Sequence, residues 1–329
     1  MNPLILSPGH FFEQYWDNTE AATKNMLNWE YNCIYQLKPM GLCGQRQVLD
    51  LISMQINHVS RAGGMMLTPS TSKDTIVIMV LEFCVDKACL GSMKLQTGDI
   101  IFFDDSGTHN FINNGAIKFI SVSIKKSRLG TRLATLTKII NHHIYDKDSR
   151  FILILHEILK RFRGSSGQKK DTQSFQEAED EILGVIMTLL SQQLPTIPKL
   201  TAGEKIALKI RDQVFHHMDG NISISSLAKE HQVSKQTLQN SFKSLFGFTP
   251  KRFLRLLKLN LVHQDLVNSN PDKSTVMKIA HRWGFTHMGR FSCYYSELFG
   301  QYPSLTLKTA CFQEESIKQS CINTQEEIN

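Results

Sequence analysis

The stretch SKQTLQNSFKSLFGFTP, residues 234–250, recurs in altered form as HMGRFSCYYSELFGQYP, residues 287–303. Laying one copy on the other aligns Leu-Phe-Gly in both, with a proline three residues after each glycine. Apolar residues then fall on apolar residues, as Phe242 does on Tyr295. Apolar positions at three- and four-residue steps predict that each copy is an amphipathic helix ended by its glycine.

A second pair of matching segments precedes these helices: SISSLAKEHQV, residues 223–233, and STVMKIAHRWGF, residues 274–285. Ala228 matches Ala280 with an offset one residue shorter than that of the helices behind them, so one residue is added inside the second unit. Ser234 is placed to cap the longer helix of the first unit. Each unit is therefore predicted to be a short helix, a tight turn and a longer helix, which is a helix-turn-helix.

Residues 250–267, PKRFLRLLKLNLVHQDLV, predict one long helix between the two units, with Thr249 as its cap and Pro250 at its first position. Its apolar residues lie on two roughly opposite faces, which indicates a helix packed on both sides. At ~1.5 Å per residue its length is about 27 Å. A strut of this length can present two second helices to adjacent major-groove segments about 34 Å apart. Gly247 and Gly300 close those helices and are expected in the left-handed conformation.

Positive charge is concentrated in the repeated region. Residues 200–309 hold 15 Lys and Arg against 7 Asp and Glu, whereas residues 1–199 hold 21 against 19. Such a surplus is the expected footprint of a phosphate-binding surface, and double-stranded DNA is the expected partner. The alternatives are a merely solvated basic domain and an α-helical repeat for protein binding. The presence of only two units and the added turn residue argue against the repeat.

Residues 204–308 resemble the DNA-binding domain of the AraC family of bacterial transcription regulators. The resemblance rests on SSLAKEHQVSKQTLQNSFKSLFGFTPKRFL and VMKIAHRWGFTHMGRFSCYYSELFGQYPS. TLQNSF and YPSLTL resemble, more weakly, the ethanolamine-operon regulator branch. The resemblance implies a sequence-specific transcription regulator, an activator that contacts RNA polymerase. The chain departs from the family at Lys258, where the family often has Arg or Ser, and at Val262, where it often has Ala. The second unit carries His287, Met288 and Gly289, so the family's base preferences are not carried over to it.

The exposed faces of the two second helices supply the candidate DNA contacts. Glutamine and asparagine can bridge N6 and N7 of adenine, and arginine reads guanine. By resemblance, Gln236, Gln239 and Asn240 match the family's base-contacting positions. The base-reading candidates are Gln236, Gln239, Asn240, His287, Gly289, Arg290, Ser292 and Cys293. The phosphate candidates are Ser234, Lys235, Lys243, Lys251, Arg252, Arg255 and Arg282. For each polar residue plain solvation is the alternative, while Trp283 and Phe285 are predicted to be core.

The predicted fold class is α+β: an N-terminal cupin-like β-barrel with following helices, and an all-α C-terminal domain. Strands are predicted over about 46–124, where Asn113-Asn114-Gly115 signals a hairpin, and helices over about 128–194. Two prolines in LPTIPK mark the domain boundary. The predicted division is 1–194 for sensing or dimerisation, 195–203 as linker, 204–308 for DNA binding and 309–329 as a disordered tail.

The N-terminal half carries less chemistry. KLQTGDIIFFDDSGTHNF, residues 94–111, resembles the cupin-type segment of AraC-like effector domains, which implies a small-molecule effector. The sequence leaves open whether this half binds a ligand, only dimerises or is degenerate. His109 lies near Asp104 and Asp105 without the H-x-H spacing of a cupin metal site, so neither a metal nor another cofactor is expected. The amphipathic helix at 173–194 is the candidate homodimer surface, with packing on the barrel as the alternative.

Other classes of protein leave no signature in the sequence. The chain has no G-x-S-x-G, no phosphate-cradling glycine-rich loop and no His/Glu metal spacing, which argues against an enzyme. A DNA-binding architectural protein without ligand response is the remaining alternative. The longest apolar runs are too short to span a bilayer, and no basic residue precedes the N-terminal apolar patch. Seven scattered cysteines without a C-x-x-C pair suit a reducing compartment, so we expect a cytoplasmic protein.

Overall fold

The computed structural model describes residues 6–17, 30–39, 43–104, 110–163, 171–197, 199–216 and 223–309. Two antiparallel sheets and a set of helices make up these residues. The strands are β1 Phe11–Trp16, β2 Glu30–Gln36, β3 Gly44–Asp50, β4 Met54–Arg61, β5 Met65–Ser70, β6 Thr75–Cys84, β7 Ala88–Leu90, β8 Met93–Leu95, β9 Asp99–Phe103, β10 Phe111–Asn113, β11 Ile117–Lys125 and β12 His143–Tyr145.

The helices follow the same chain order. They are α1 Lys126–Leu129, α2 Leu133–Lys138, α3 Arg150–Phe162, α4 Thr172–Gln192, α5 Ala202–His216, α6 Ile224–Glu230, α7 Lys235–Phe246, α8 Pro250–Val267, α9 Val276–Arg282 and α10 Met288–Phe299. Residues 303–309 form a last helical segment. The predicted α+β class is confirmed, and strands begin well before residue 46. None of the helices in the described ranges is long and apolar enough to cross a membrane.

The strands form two open sheets that face each other rather than a closed barrel. One has the order β1-β3-β4-β11-β6-β9-β12 and the other β2-β5-β10-β7-β8. Apolar side chains alternate along β6: Val77, Met79 and Leu81 lie in the core between the sheets. Ile78 and Val80 point to the opposite face, where they pack with residues of α3 and α4. The seven-stranded sheet is therefore buried on both faces, which explains the continuous apolar run of β6.

The hairpin predicted at Asn113-Asn114-Gly115 is wrong. The turn joins β10 to β11, but these strands belong to different sheets. Both edges of β10 are taken, since Ile112 pairs with Met66 of β5 and with Cys89 of β7. The turn signal predicts a local chain reversal correctly, but it cannot say which strand becomes the partner.

Helix α4 uses its apolar face within the chain. Ile182, Leu183, Ile186 and Leu189 are buried in the core that α3 and α4 form with the seven-stranded sheet. Phe175 near its start stacks on Phe162 of α3, with 5.0 Å between ring centroids. The face proposed from the sequence as a dimer surface is therefore covered by the protein itself, as in the alternative of packing on the barrel.

The C-terminal helices share one core with the five-stranded sheet. Tyr35, Leu37, Met66, Cys89 and Ile112 lie on the face of that sheet that points away from the seven-stranded sheet, and they belong to the same buried cluster as α5 to α10. Burial raises the pKa of the Cys89 thiol to about 11, so this cysteine packs as a small apolar residue. The β-rich part and the helical part are thus packed together through an apolar interface.

Candidate nucleic-acid interface

Helices α6 and α7 form the first helix-turn-helix. The turn between them closes through a hydrogen bond from the Val233 amide to the Ala228 carbonyl, 2.9 Å. Gln232, just before Val233, has a positive φ of 52°. The Ser234 hydroxyl then accepts from the Thr237 amide at 3.0 Å, which caps α7 as the sequence predicts.

Helices α9 and α10 repeat this arrangement. The Phe285 amide donates to the Ala280 carbonyl at 3.0 Å, and Gly284, with φ of 81°, takes the place of Gln232. Helix α7 begins two residues after Val233, whereas α10 begins three residues after Phe285. The residue added to the second unit therefore lies in this turn, and His287 stands at the cap position that Ser234 fills in the first unit.

Helix α8 is the predicted strut with the predicted bounds, Pro250–Val267. The Thr249 hydroxyl accepts from the Arg252 amide at 3.3 Å, and Pro250 occupies the first turn. Apolar residues on both of its faces are buried: Phe253, Leu256, Leu257, Leu259, Val262 and Leu266. Gly247 and Gly300, which end α7 and α10, both have φ of 72°. The glycines therefore adopt the left-handed conformation that the repeat predicts.

The second helices bury one face and expose the other. Leu238, Phe242 and Leu245 of α7 are buried, as are Phe291, Tyr295 and Leu298 of α10. Trp283 and Phe285 are partly buried against the same core. The base-reading candidates lie on the opposite faces: Gln236, Asn240, His287, Gly289, Arg290 and Cys293 are exposed, and Gln239 and Ser292 are half-exposed. Each helix therefore offers the polar face that major-groove contact needs.

Two of the candidates on α7 contact each other. The Gln236 side-chain nitrogen donates to the Asn240 side-chain oxygen at 3.0 Å, one helical turn apart. Both side chains remain exposed. The contact uses the Asn240 oxygen as acceptor, so the Asn240 amide N–H groups point away from Gln236.

The phosphate candidates fall into two groups. Ser234, Lys235, Lys243 and Lys251 are exposed. Arg252 and Arg282 are exposed as well and Arg255 is half-exposed, but each of the three arginines contacts a neighbouring side chain. Arg255 lies 3.9 Å above the ring of Tyr294, and Arg252 lies 5.2 Å above that of Phe248. Arg282 donates to Asp265 at 3.0 Å, and the Trp283 indole donates to the same oxygen at 2.8 Å. These contacts give each guanidinium group a partner within the protein, and the ion pair with Asp265 offsets part of the positive charge at Arg282.

The β-rich part contacts the C-terminal ends of both second helices, which the sequence does not predict. The Asn114 side-chain nitrogen donates to the carbonyl of Phe246, the last residue of α7, at 2.6 Å. The Gln36 side-chain nitrogen donates to the carbonyl of Leu298, near the end of α10, also at 2.6 Å. The last carbonyls of a helix have no partner within the helix. The five-stranded sheet and the turn at Asn114 supply that partner for α7 and for α10.

The strut is held by the same sheet. The Asn260 side chain accepts from the Gln36 amide at 2.7 Å and donates to the Gln36 carbonyl at 2.8 Å. Both residues are buried. Asn260 thereby pairs with the backbone of β2 in the manner of a neighbouring strand. Strand β2 is thus joined to α8 through Asn260 and to α10 through Leu298.

Glu204 forms a further link at the start of α5. It makes a capping box with Thr201, in which each side chain accepts from the other residue's amide, at 3.0 and 3.2 Å. Its other oxygen is bonded to Lys94 of β8 and accepts from Ser244 of α7 at 2.7 Å. Burial opposes ionisation of Glu204, but these hydrogen bonds outweigh it and lower its pKa to about 2. The Glu204 carboxylate therefore joins the five-stranded sheet, the start of α5 and α7.

A buried polar chain fixes the second unit to the strut. His263 of α8 bonds the Tyr295 hydroxyl at 2.6 Å, and Tyr295 donates to Thr306 at 2.8 Å. The His263 ring also stacks on Phe299 at 4.3 Å between centroids. Burial raises the pKa of Tyr295 well above its usual range, so it stays a neutral donor. Helix α10 is thus positioned by hydrogen bonds as well as by apolar packing.

Comparison with known proteins agrees with this geometry. Residues 227–309 match a family model described as a helix-turn-helix domain. The probable thc operon regulatory protein of Rhodococcus erythropolis is 34% identical over 102 residues, which are 31% of this chain and 31% of that protein. The XylDLEGF operon transcriptional activator of Pseudomonas putida is 27% identical over 144 residues, 43% of this chain and 45% of the activator. The C-terminal region is an AraC-type helix-turn-helix domain.

The chain spans less than half the length of either of these two relatives. Among solved structures, the AraC-like transcriptional activator CuxR aligns over 78% of this chain and 96% of its own, with 8% identity and a TM-score of 0.43. ToxT from Vibrio cholerae aligns over 85% of this chain with 12% identity and a TM-score of 0.28.

Proposed function

We propose that this chain is a sequence-specific transcription regulator that reads two adjacent major-groove segments of double-stranded DNA. The observation that carries the proposal is the pair of helix-turn-helix units on one strut, α8, with the polar faces of both second helices exposed. The basic surplus of the helical region supplies the attraction to phosphates. Two unlike readers on one polypeptide suit an asymmetric site, because neither needs a symmetric partner.

The roles of the residues follow from this proposal. Gln236, Gln239 and Asn240 read bases for the first unit, and Arg290 is the strongest candidate reader of the second. Lys235, Lys243 and Lys251 contact phosphates. The proposed division of labour is residues 204–308 for DNA and residues 1–194 for sensing or dimerisation, joined by residues 195–203. The chain is proposed to act in the cytoplasm without enzymatic activity.

The names of the relatives support activation as the direction of regulation. Contact with RNA polymerase beside the bound site is part of this proposal. Control by an effector is supported by the contacts of the β-rich part. Gln36 and Asn114 bond the ends of the two reading helices, and Asn260 ties the strut to β2. A small molecule or a second copy that shifts β2 or the turn at Asn114 would change the relative orientation of the two readers.

An architectural DNA-binding protein is the second candidate, because the basic surplus and exposed lysines would serve it equally well. It differs in having no sequence preference and no response to small molecules. Selection of bound fragments from genomic DNA, with the purified full chain at near-physiological salt, distinguishes the two. An asymmetric motif with two blocks about one helical turn apart is the expected result. Uniform binding without a motif would contradict the proposed regulator.

A further inference from the structure

Three side chains with metal-binding atoms meet on the helix-covered face of the seven-stranded sheet. They are His58 of β4, Glu82 of β6 and His156 of α3. Glu82 lies at an irregularity of the β6–β11 pairing, where Phe83 pairs with Lys118 but Leu81 already pairs with Phe119. Glu82 is therefore the extra residue of a β-bulge, a device that re-aims one side chain out of the regular ladder.

The atoms of this cluster converge on one point. The His156 Nε2 atom lies 2.8 Å from Glu82 Oε1, and the His58 Nε2 atom lies 3.4 Å from the same oxygen. One ligand atom from each of the three residues lies within 4.8 Å of the other two. In a tetrahedral site with ligands about 2.1 Å from the ion, neighbouring ligand atoms lie about 3.4 Å apart. Small side-chain movements thus convert the cluster into a three-ligand site.

The other ring nitrogen of His58 has a neighbour of its own. The Gln47 side-chain nitrogen donates to Glu13 at 2.7 Å, so the Gln47 oxygen is the atom that faces His58 Nδ1 at 3.3 Å. An oxygen acceptor calls for the proton on Nδ1, so Nε2 is the ring nitrogen left to face a metal ion. His58 Nε2 lies 3.4 Å from the Glu82 carboxylate. A metal-binding histidine typically donates its other ring nitrogen to such an acceptor.

Nothing in the described part of the chain satisfies the facing atoms with a well-aligned hydrogen bond. His58 Nε2 and Glu82 Oε1 are both buried, and neither has a partner at hydrogen-bond geometry despite their close approach. The second oxygen of Glu82 is held by Lys118 at 2.8 Å. A fixed carboxylate oxygen therefore faces two imidazole nitrogens.

We propose that His58, Glu82 and His156 bind a divalent first-row transition metal ion of the zinc class. Two imidazoles and one carboxylate form a ligand set that such ions favour over Mg²⁺ and Ca²⁺, and His156 is exposed enough to let the ion and a water ligand enter. The bound ion joins α3 to strands β4 and β6. The site lies outside the candidate DNA interface and its assignment is independent of the proposed function. The sequence contains no motif for this metal site, because each of the three ligands comes from a different strand or helix.

The test uses the metal-free full chain and Zn²⁺, followed by isothermal titration calorimetry, with Mg²⁺ as the negative control. Binding of one Zn²⁺ is expected, with no heat from Mg²⁺. Loss of a residue that only hydrogen-bonds a metal ligand weakens metal binding by about 10- to 100-fold. His156→Gln removes a ligand itself and is expected to weaken Zn²⁺ binding by more than that. His142→Gln, at a half-buried histidine outside the cluster, is the matched control and is expected to leave the binding unchanged.

Two further measurements separate this site from the cysteines. Co²⁺ bound here is expected to give a visible spectrum without thiolate charge transfer. Gln47→Ala keeps all three ligands and is expected to weaken Zn²⁺ binding by about 10- to 100-fold, because it removes the partner of His58 Nδ1. Absence of Zn²⁺ binding, or binding that survives both His156→Gln and Glu82→Gln unchanged, would overturn the proposal.

Discussion

The side-chain nitrogen of Asn114 lies 2.6 Å from the carbonyl oxygen of Phe246, the last residue of α7. Asn114 belongs to the turn that leads from one sheet to the other, so a residue of the β-rich part completes the cap of a helix in the C-terminal helix-turn-helix domain. The close approach depends on Gly247. A Cβ atom at Gly247 would lie 2.0 Å from the same Asn114 nitrogen.

Alanine at Gly247 is therefore expected to destabilise the protein for two reasons. The left-handed backbone disfavours alanine by about 1–2 kcal/mol, and the new Cβ atom collides with Asn114, at a further cost of about 1–3 kcal/mol. Gly300→Ala is the matched control. Gly300 has the same φ of 72°, yet nothing lies within 4 Å of its added Cβ atom. Urea unfolding of both variants measures the difference.

Removal of the Asn114 amide should relieve the collision alone. The double variant Gly247→Ala with Asn114→Ala is expected to recover part of the stability that Gly247→Ala loses. Equal destabilisation by Gly247→Ala and Gly300→Ala would show that the sheet does not press on the end of α7 in solution.

The bond between Asn260 and the backbone of Gln36 yields a second prediction. Asn260→Ala leaves a buried amide and carbonyl of β2 without their partner, which is expected to cost about 1–3 kcal/mol of the free energy of unfolding. Hydrogen exchange of the Gln36 amide should accelerate in this variant. Asn268→Ala changes an exposed asparagine just beyond the strut and should stay within about 0.5 kcal/mol. Unaltered exchange at Gln36 would remove Asn260 as the connection between β2 and α8.

The helical half could be predicted almost entirely from the sequence. Its signals are local: the apolar period, the caps at Ser234 and Thr249, and the glycines that end each reader. The bounds of α8 agree with the prediction residue for residue, because a capping threonine and a proline define its start. The added residue of the second unit also lies in the predicted turn.

The β-rich half and its junction could not be predicted in the same way. Which sheet a strand joins depends on contacts far apart in sequence, so the turn signal at Asn114 predicts a hairpin where the two strands in fact belong to different sheets. The bonds Gln36–Asn260 and Asn114–Phe246 join residues 224 and 132 positions apart. No periodic pattern encodes such a pair. Charge alone makes the arginines of the strut phosphate candidates, whereas their contacts with Tyr294 and Phe248 depend on the fold.

Base reading by the first unit is tested at Asn240. Asn240→Ala is expected to weaken binding to the specific site by about 1–3 kcal/mol, because a bidentate contact to adenine is lost. Binding to random DNA should stay unchanged in a competition assay. Gln236→Ala should give a smaller loss of the same kind, since Gln236 orients the Asn240 amide. A loss of equal size on random and specific DNA would exclude Asn240 as a reader.

Phosphate contact is tested at Lys251, an exposed lysine in the first turn of the strut. Lys251→Ala should weaken binding to specific and random DNA alike and flatten the slope of log K against log salt by about one unit. Lys147→Ala, at an exposed lysine of the β-rich part, is the control and should leave the slope unchanged. Fluorescence anisotropy across a salt series provides the measurement. A slope that Lys251→Ala does not alter would end the phosphate assignment.

The last prediction concerns acid. Glu204 has a folded-state pKa of about 2, below its ordinary value of 4.5, so the folded protein binds fewer protons than the unfolded chain in this window. Its stabilising contribution is complete above about pH 5 and is lost as the pH falls from about 4.5 toward 2. Glu204→Gln should destabilise the protein at pH 7 by about 1–3 kcal/mol, since charge-assisted bonds to Lys94 and Ser244 weaken. The gap between wild type and variant should narrow at pH 3. Urea unfolding at pH 7, 5 and 3 tests this, with the exposed Glu157→Gln as control. A gap that stays constant with pH would show that Glu204 is not held in its charged form by the junction between the sheet and α7.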